Sequence, residues 1–172
     1  MKAGAKVGLG AAVIVAAVAV LAVLYESSRH RALVSHCRNN LRHLGGLAVK
    51  NWEAVDHEKT GRLFWQQIRE EQYRSEKGKW SIPPTAPFTC PVLGRIPGDP
   101  ANPESIDYLG PIRVRPTARE TPNDEPIGAD RPGNHPSGGL VLRLDTSVDS
   151  LPPAIVEEKG DAWERVRRAL KD

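Results

Sequence analysis

An uncharged stretch of 19 residues near the N-terminus, residues 7–25, most constrains what this chain can fold into. At a rise of about 1.5 Å per residue, a helix of this length measures roughly 28 Å, which is close to the thickness of a bilayer's hydrocarbon layer. The sequence therefore predicts a transmembrane anchor over residues 7–25. A cleaved signal peptide is the main alternative, because basic residues also precede an apolar core in such peptides. A buried helix of a soluble domain is the third interpretation.

The charges on either side of the anchor predict its topology. Lys2 and Lys6 precede it, so residues 1–6 are expected to lie in the cytoplasm. Everything from Glu26 onward is then expected outside the inner (cytoplasmic) membrane, on a single-pass anchor. Arg29 weakens this bias, because it places positive charge just beyond the other end of the anchor.

The positive net charge of the chain lies in its N-terminal part. Residues 1–50 contain seven Lys or Arg and one Glu, which gives +6, and since the whole chain carries +3, residues 51–172 carry −3. A nucleic-acid-binding domain needs a basic face on the folded domain. The slightly acidic charge of residues 51–172 therefore argues against nucleic acid as a partner.

Apolar residues continue beyond the anchor at helical spacing. They recur in steps of three and four, and they are Val34, Cys37, Leu41, Leu44, Ala48, Trp52 and Val55. Such spacing places side chains on one face of a helix. The N-terminal helix is therefore expected to continue through residues 26–57 and to lay this apolar stripe on a small domain. Two consecutive glycines, Gly45 and Gly46, predict a bend or a close contact within it.

Residues 58–172 are predicted to form a small α+β domain outside the membrane. Helical spacing predicts a second helix over residues 62–74. A capping box, in which Asp161 is followed three residues later by Glu164, predicts a C-terminal helix over residues 161–171.

The middle of this domain is rich in proline, with 13 of the 15 prolines between residues 81 and 136. Proline lacks a backbone donor and fixes φ, so long strands and helices are not expected there. Alternating apolar residues predict short strands over residues 105–110 and 112–115. Farther along, residues 139–151 are expected to form a hairpin that turns at Asp145 and Thr146.

The chain has two cysteines, Cys37 and Cys90. Outside the cytoplasm an even number of cysteines favours pairing, so a Cys37–Cys90 disulfide is expected, with two buried unpaired thiols as the alternative. A zinc site is the least favoured interpretation. His36 points away from Cys37 on a helix, and no C-x-x-C motif occurs. No residue is therefore assigned as a metal ligand.

Sequence motifs of common enzyme classes do not occur. There is no G-x-S-x-G elbow, no H-E-x-x-H motif, no P-loop and no dinucleotide-binding glycine pattern. His135 with Asp130 or Asp145 invites a catalytic interpretation, as a membrane-tethered hydrolase. The favoured roles are structural: His135 hydrogen-bonds the loop before the hairpin, and Asp145 forms its turn. The chain is therefore predicted not to be an enzyme and to have no catalytic residue.

Two stretches of the sequence follow the pattern of a known family. Residues 37–45 (CRNNLRHLG) come soon after the anchor, and His135 is followed by nine residues and then Asp145. These stretches resemble the C-x-N-N-L-[KR]-x-L-G phrase and the H-x9-D-G element of the type II secretion pseudopilin (PulG-like) family with an H-x9-D-G domain. The Cys-Pro at residues 90–91 and the Tyr-Leu-Gly at residues 108–110 also match segments of that family. The motif positions expected to act structurally are Asn39, Asn40, Leu41, Gly45, Gly133, Asn134, His135, Gly139 and Asp145.

The resemblance implies a pilin-like fold, in which a long N-terminal helix packs on a small antiparallel sheet. It also implies a structural function in protein transport, through assembly in the membrane with copies of itself, other pseudopilins or secretion-machine subunits. No cofactor is expected. Major pseudopilins of this wider class can bind Ca²⁺, and the acidic loop at residues 99–104 offers oxygen ligands, but it lacks EF-hand spacing and is expected to be solvated.

The start of the apolar stretch departs from the pilin pattern. Pilin-like precursors begin it with Gly-Phe-Thr-Leu-x-Glu, whose Glu neutralises the N-terminal amine of a neighbouring subunit in lipid. Here no acidic residue precedes Glu26, and an uncompensated charge in lipid is costly. The turn also has Thr146 where the family has Gly. The alternative function is therefore a signal-anchored periplasmic accessory or binding domain that does not enter a filament.

Overall fold

A long N-terminal helix and a four-stranded antiparallel sheet form the framework of this protein, which is described here from a computed structural model. The structure describes residues 4–56, 58–59, 61–75, 86–94, 105–111, 125–131, 134–135 and 138–151, without the side chains of residues 4–9, 72–75, 86 and 151. The expected α+β class is confirmed by this combination of helix and sheet.

The first helix, α1, extends over Gly4–Lys50. It contains an 18-residue window with a mean hydropathy of 2.1, and no part of that window is buried. Val15 and Leu21 in this part of the helix are 68% and 64% exposed. The helix is therefore long and apolar enough to serve as one membrane span or signal anchor near the N-terminus.

α1 ends at Lys50 rather than continuing to residue 57 as the apolar spacing predicted. The Asn51 side chain donates a hydrogen bond to the Leu47 carbonyl at 2.8 Å, and the Trp52 backbone N–H reaches back only to Val49, at 3.4 Å. Such tightened bonds satisfy the last carbonyls of a helix and terminate it. Trp52 is still buried, so the apolar stripe continues through a turn rather than through more helix.

The second half of α1 forms one wall of the hydrophobic core. The stripe identified from its spacing is buried as expected, with Cys37, Leu41, Leu44 and Ala48 all at 0% exposure. Gly45 lies on the same face, and a Cβ at this position would come within 2.9 Å of Leu142 Cδ1. The expected close contact is therefore found at Gly45.

The second helix, α2, extends over Gly61–Ser75, close to the predicted 62–74. Gly61 begins it with φ +58°, a conformation that suits glycine. Phe64, Trp65 and Ile68 face the core and are almost fully buried. The Trp65 indole N–H donates to the Leu109 carbonyl at 2.9 Å, which fixes α2 against the sheet.

The sheet has the strand order β1-β2-β3-β4, with every neighbouring pair antiparallel. Its strands are Tyr108–Leu109 (β1), Pro126–Asp130 (β2), Gly139–Arg143 (β3) and Val148–Leu151 (β4). Tyr108 pairs with Asp130, so the start of β1 lies beside the end of β2. The strand predicted within residues 105–110 is thus present as the short β1.

β2 was not predicted from the sequence, yet it lies between β1 and β3 and all five of its residues are buried. Pro126 opens the strand, where its missing N–H is tolerated. Gly128 allows a close approach of α2, because a Cβ there would lie 2.7 Å from Trp65 Cζ2. The proline-rich composition therefore gave no indication of this short central strand, and the strand was not predicted.

The predicted hairpin is confirmed as β3 and β4. The Thr146 N–H donates to the Arg143 carbonyl at 3.0 Å, and the Arg143 N–H donates to Ser147 at 2.9 Å. Asp145 accepts a hydrogen bond from the Ser147 N–H at 2.8 Å, so it forms the turn as expected. Thr146 adopts φ 69°, the one non-glycine with positive φ in the part of the chain that the structure describes.

Several predictions fall on residues outside the described ranges. These are the C-terminal helix over residues 161–171, the strand at residues 112–115, the acidic loop at residues 99–104 and the motif residue Gly133.

Candidate functional site

Four buried side chains from separate segments meet in one place and form what we call the buried cluster: Cys37, Cys90, Asp130 and His135. Their sulfur, nitrogen and oxygen atoms all lie within 4.8 Å of one another. None of the four residues is more than 5% exposed. Cys37 comes from α1, Cys90 precedes a short 3₁₀ turn, Asp130 ends β2, and His135 lies between β2 and β3.

The two sulfur atoms of the cluster lie 2.7 Å apart, and the structure holds them as two free thiols. The hydrogen bond from Cys90 lowers the pKa of the Cys37 thiol, while the same contact raises the pKa of Cys90. The two cysteines are thus neighbours, as a disulfide between them requires. Their oxidation to a disulfide stays a prediction.

His135 and Asp130 form a buried pair, with the imidazole Nε2 3.1 Å from the carboxylate Oδ2. The same Nε2 lies 3.7 Å from Cys90 Sγ. Burial alone disfavours the charged imidazole, but the hydrogen bonds with Asp130 and Cys90 outweigh it and raise the pKa of His135 to about 9. The Leu140 N–H donates to Asp130 Oδ2 at 2.9 Å, so the partner of His135 is tied to the start of β3.

Two polar atoms of this pair have no hydrogen-bond partner among the described residues. They are Asp130 Oδ1 and His135 Nδ1, and both side chains are at least 98% buried. Leaving a buried acceptor or donor unsatisfied costs on the order of 1–3 kcal/mol, and more for a charged group. The cluster therefore has unused capacity to bind a polar or cationic group.

The segment that carries Cys90 is held by a buried aspartate. Asp107 accepts a hydrogen bond from the Cys90 N–H at 3.0 Å, and its own N–H donates to the Phe88 carbonyl at 2.9 Å. The Asn134 side chain donates to the Asp107 carbonyl at 2.9 Å. Asp107 thereby fixes the backbone next to Cys90 and next to His135 at the same time.

On the α1 side, Asn40 links the helix to the segment around Thr89 and Cys90, which we call the cysteine loop. Its side-chain amide donates to the Thr89 carbonyl at 3.1 Å and lies 3.5 Å from the Tyr108 hydroxyl. That hydroxyl also hydrogen-bonds Cys37, and burial raises the pKa of Tyr108, which keeps the phenol neutral. Asn40 and the Tyr108 hydroxyl thus meet at the Thr89 carbonyl, directly before Cys90.

The remaining motif positions are distributed between core and surface. Leu41 is fully buried in the core and Gly139 begins β3, whereas Asn39 is exposed on α1. Asp145 is exposed in the hairpin turn, so the structure does not bring it into the cluster with His135. Of the two acidic partners considered for His135, Asp130 is the one in contact.

Sequence reasoning missed two parts of this site. It considered a zinc ligand for Cys37 only among its sequence neighbours, such as His36, which is exposed on α1. It did not combine Cys37 and Cys90 with His135, and it gave Asp107 no role. The available signal was that both cysteines and His135 lie in the segments that resemble pseudopilin motifs.

Comparison of the chain with protein-family models, with curated proteins and with solved structures returns no match. The chemistry of the site is therefore argued from its own atoms. Two thiols, one imidazole and one carboxylate are ligand types that proteins use for zinc.

Proposed function

We propose that this chain is a pseudopilin-like structural component of a type II secretion or type IV pilus-like assembly, which acts through helix packing and self-association. The observation that carries the proposal is the division of α1 into two parts. The apolar part around Leu21 is left uncovered by the described chain, whereas the stripe from Cys37 to Ala48 is buried under the sheet. A continuous helix of this kind couples a small domain rigidly to whatever its apolar part packs against.

The apolar part of α1 has two candidate environments, lipid and other helices in lipid. In the proposed assembly it contacts the same segment of neighbouring copies, or that of other pseudopilins or secretion-machine subunits. Helices in lipid associate through close packing, which small side chains at the contact favour. Residues 7–25 are rich in alanine and glycine, which supports packing between helices. In this proposal the domain from Glu26 onward lies outside the inner membrane.

A signal-anchored accessory or binding domain is the second candidate. It is favoured by the absence of any acidic residue before Glu26, because a pilin-type subunit relies on an acidic residue near the start of its apolar stretch. In this candidate the helix only tethers the domain to the membrane. The cluster around His135 is buried within the described part of the chain and not open to a substrate, which supports the proposal of a non-enzymatic role.

Site-specific photocrosslinking in membranes separates the two candidates. A photoreactive amino acid replaces Leu21, which is 64% exposed in the apolar part of α1, and in a matched control it replaces Leu63, which is 50% exposed on α2. The full chain is expressed in its own membranes and irradiated, and adducts are identified by mass spectrometry. The assembly predicts adducts of the chain with itself or with other anchored subunits from Leu21 and far fewer from Leu63.

The outcomes differ for each candidate. Adducts from Leu21 that contain lipid only, at normal expression and with a folded domain, would reject the assembly and leave the tethered domain. The intact mass of the same protein gives a second criterion. A chain trimmed by a few N-terminal residues and methylated at its new amine indicates processing of the pilin type, whereas cleavage after the apolar stretch rejects a permanent anchor.

A further inference from the structure

The buried cluster has the composition and the arrangement of a metal site. We propose that Cys37, Cys90, His135 and Asp130 bind one Zn²⁺ ion as a closed, structural, four-ligand centre. The proposed assembly function does not require this ion. Each of the two proposals can therefore be rejected without rejecting the other. The ligands would come from α1, the cysteine loop, β2 and the segment before β3. The ion would therefore join these four segments of the domain.

The ligand types and spacings fit tetrahedral zinc. With bonds of about 2.3 Å to sulfur and about 2.0–2.1 Å to nitrogen or oxygen, neighbouring ligand atoms lie roughly 3.3–3.8 Å apart. Cys90 Sγ lies 3.7 Å from His135 Nε2, which is within this range. Nε2 lies 3.1 Å from Asp130 Oδ2, a hydrogen-bond distance that must lengthen slightly if both atoms bind one ion. The two sulfurs, at 2.7 Å, need to separate by about 1 Å to reach that spacing.

The turn after Cys90 supplies donors to the sulfurs. Cys90 is followed by Pro91 at the first position of a 3₁₀ turn, which ends at Gly94 with φ 60°. The Val92 N–H in this turn hydrogen-bonds the sulfurs of both cysteines. Donors aimed at sulfur stabilise thiolates, which are the form that binds a metal, whereas a neutral disulfide gains little from them.

Two outer contacts of the cluster are of the kind found around metal sites, whereas His135 Nδ1 has no partner among the described residues. The Tyr108 hydroxyl hydrogen-bonds Cys37, and the Leu140 N–H holds one oxygen of Asp130. Asp130 Oδ1 has no partner among the described residues and is a buried acceptor that a cation would satisfy. A disulfide would use only the two sulfurs and would leave this oxygen as it is. Binding releases the two thiol protons and the proton on His135 Nε2 to solvent, and it forms four metal–ligand bonds without any change of oxidation state.

The test uses the full chain, extracted from membranes in detergent without a chelator. Its zinc content is measured by elemental mass spectrometry. Its free thiols are counted by alkylation under denaturing conditions without reductant. We expect one zinc per chain and two free thiols. A chain that contains no zinc and a Cys37–Cys90 disulfide overturns the proposal and establishes the bridge.

A second measurement keeps the test decisive if zinc is lost during purification. Co²⁺ is added to the reduced, metal-free chain, because tetrahedral Co²⁺ bound to thiolates gives charge-transfer and ligand-field absorption bands. We expect these bands at one equivalent of Co²⁺ and their loss on adding Zn²⁺. Absence of the bands from a folded, fully reduced chain overturns the proposal.

Variants assign the ligands. H135A and D130N should each weaken Co²⁺ binding by roughly 10–100-fold or more, and C90S should also lose part of the sulfur charge-transfer intensity. The matched control is H36A, because His36 adjoins Cys37 in sequence but is exposed on α1. Unchanged Co²⁺ affinity in folded D130N and H135A chains would rule out the four-ligand centre.

Discussion

Gly45 of α1 lies so close to Leu142 of β3 that a Cβ on the glycine would come within 2.9 Å of the leucine Cδ1 atom. Leu142 is fully buried, so it has little room to move away. The neighbouring Gly46 has no atom within 4 Å of the same hypothetical Cβ. The two adjacent glycines therefore have different roles, and only Gly45 is required by a helix–sheet contact.

This difference predicts opposite effects of alanine at the two positions. Gly46→Ala should stabilise the domain by about 0.5–1 kcal/mol, because alanine is the better helix former. Gly45→Ala gains the same helix propensity but overpacks the contact with Leu142, which costs about 1–3 kcal/mol. The free energy of unfolding of the full chain in detergent measures both. Equal effects of the two substitutions would contradict the close contact.

The hairpin turn predicts a gain in stability from a smaller residue. Thr146 adopts φ 69°, a left-handed conformation that costs a residue with a Cβ roughly 1–2 kcal/mol. Thr146→Gly removes that cost, whereas Thr146→Ala removes the same hydroxyl and methyl groups but keeps the Cβ. We expect the glycine variant to be more stable than the alanine variant by about 1 kcal/mol in thermal unfolding. A more stable alanine variant would show that the turn relaxes to another conformation.

The two consecutive asparagines of α1 predict a third matched comparison. Asn40 donates to the Thr89 carbonyl at 3.1 Å beside the buried cluster, whereas Asn39 is exposed. Both lie within the helix, so alanine gives both positions the same small helical benefit. Asn40→Ala leaves the Thr89 carbonyl with one donor fewer and should be less stable than Asn39→Ala by about 1–2 kcal/mol. Denaturant unfolding of the two variants measures this difference, and equal stabilities would deny Asn40 its linking role.

Periodicity predicted those parts of the fold in which one face of an element is buried. The stripe from Cys37 to Ala48 and the hairpin that includes Leu142 both follow such patterns, and both are present. The end of α1 was placed too late, because the apolar spacing continues to Trp52 and Val55 in a turn. Spacing identifies which residues face the core but not whether the backbone between them stays helical.

β2 and the buried cluster were harder to predict, for a shared physical reason. β2 is buried throughout, so it lacks the alternation that marks a half-exposed strand, and its Pro126 and Gly128 resemble loop composition. The cluster depends on β2, because Asp130 is its last residue. Cys37 and Cys90 lie far in the sequence from each other and from the Asp130–His135 segment, and Asp130 is brought to them through the sheet, where it pairs with Tyr108.

The Asp145 turn predicts a dependence of stability on pH. The Ser147 side chain and, second, its backbone N–H at 2.8 Å hydrogen-bond Asp145, and these bonds lower the pKa of the carboxyl group below its ordinary value. A carboxyl group with a lowered pKa in the folded state stabilises the fold above its unfolded pKa and loses that contribution as pH falls. The loss should begin as pH falls below the ordinary carboxyl pKa of about 4 and should stay below about 1 kcal/mol, because the group is exposed. Asp145→Asn is the control, since its amide oxygen accepts the same hydrogen bond without titrating. Thermal unfolding of both chains from pH 7 to pH 2 should show the advantage of Asp145 over asparagine shrinking only in that acidic window, and a constant difference across the series would contradict the charged turn.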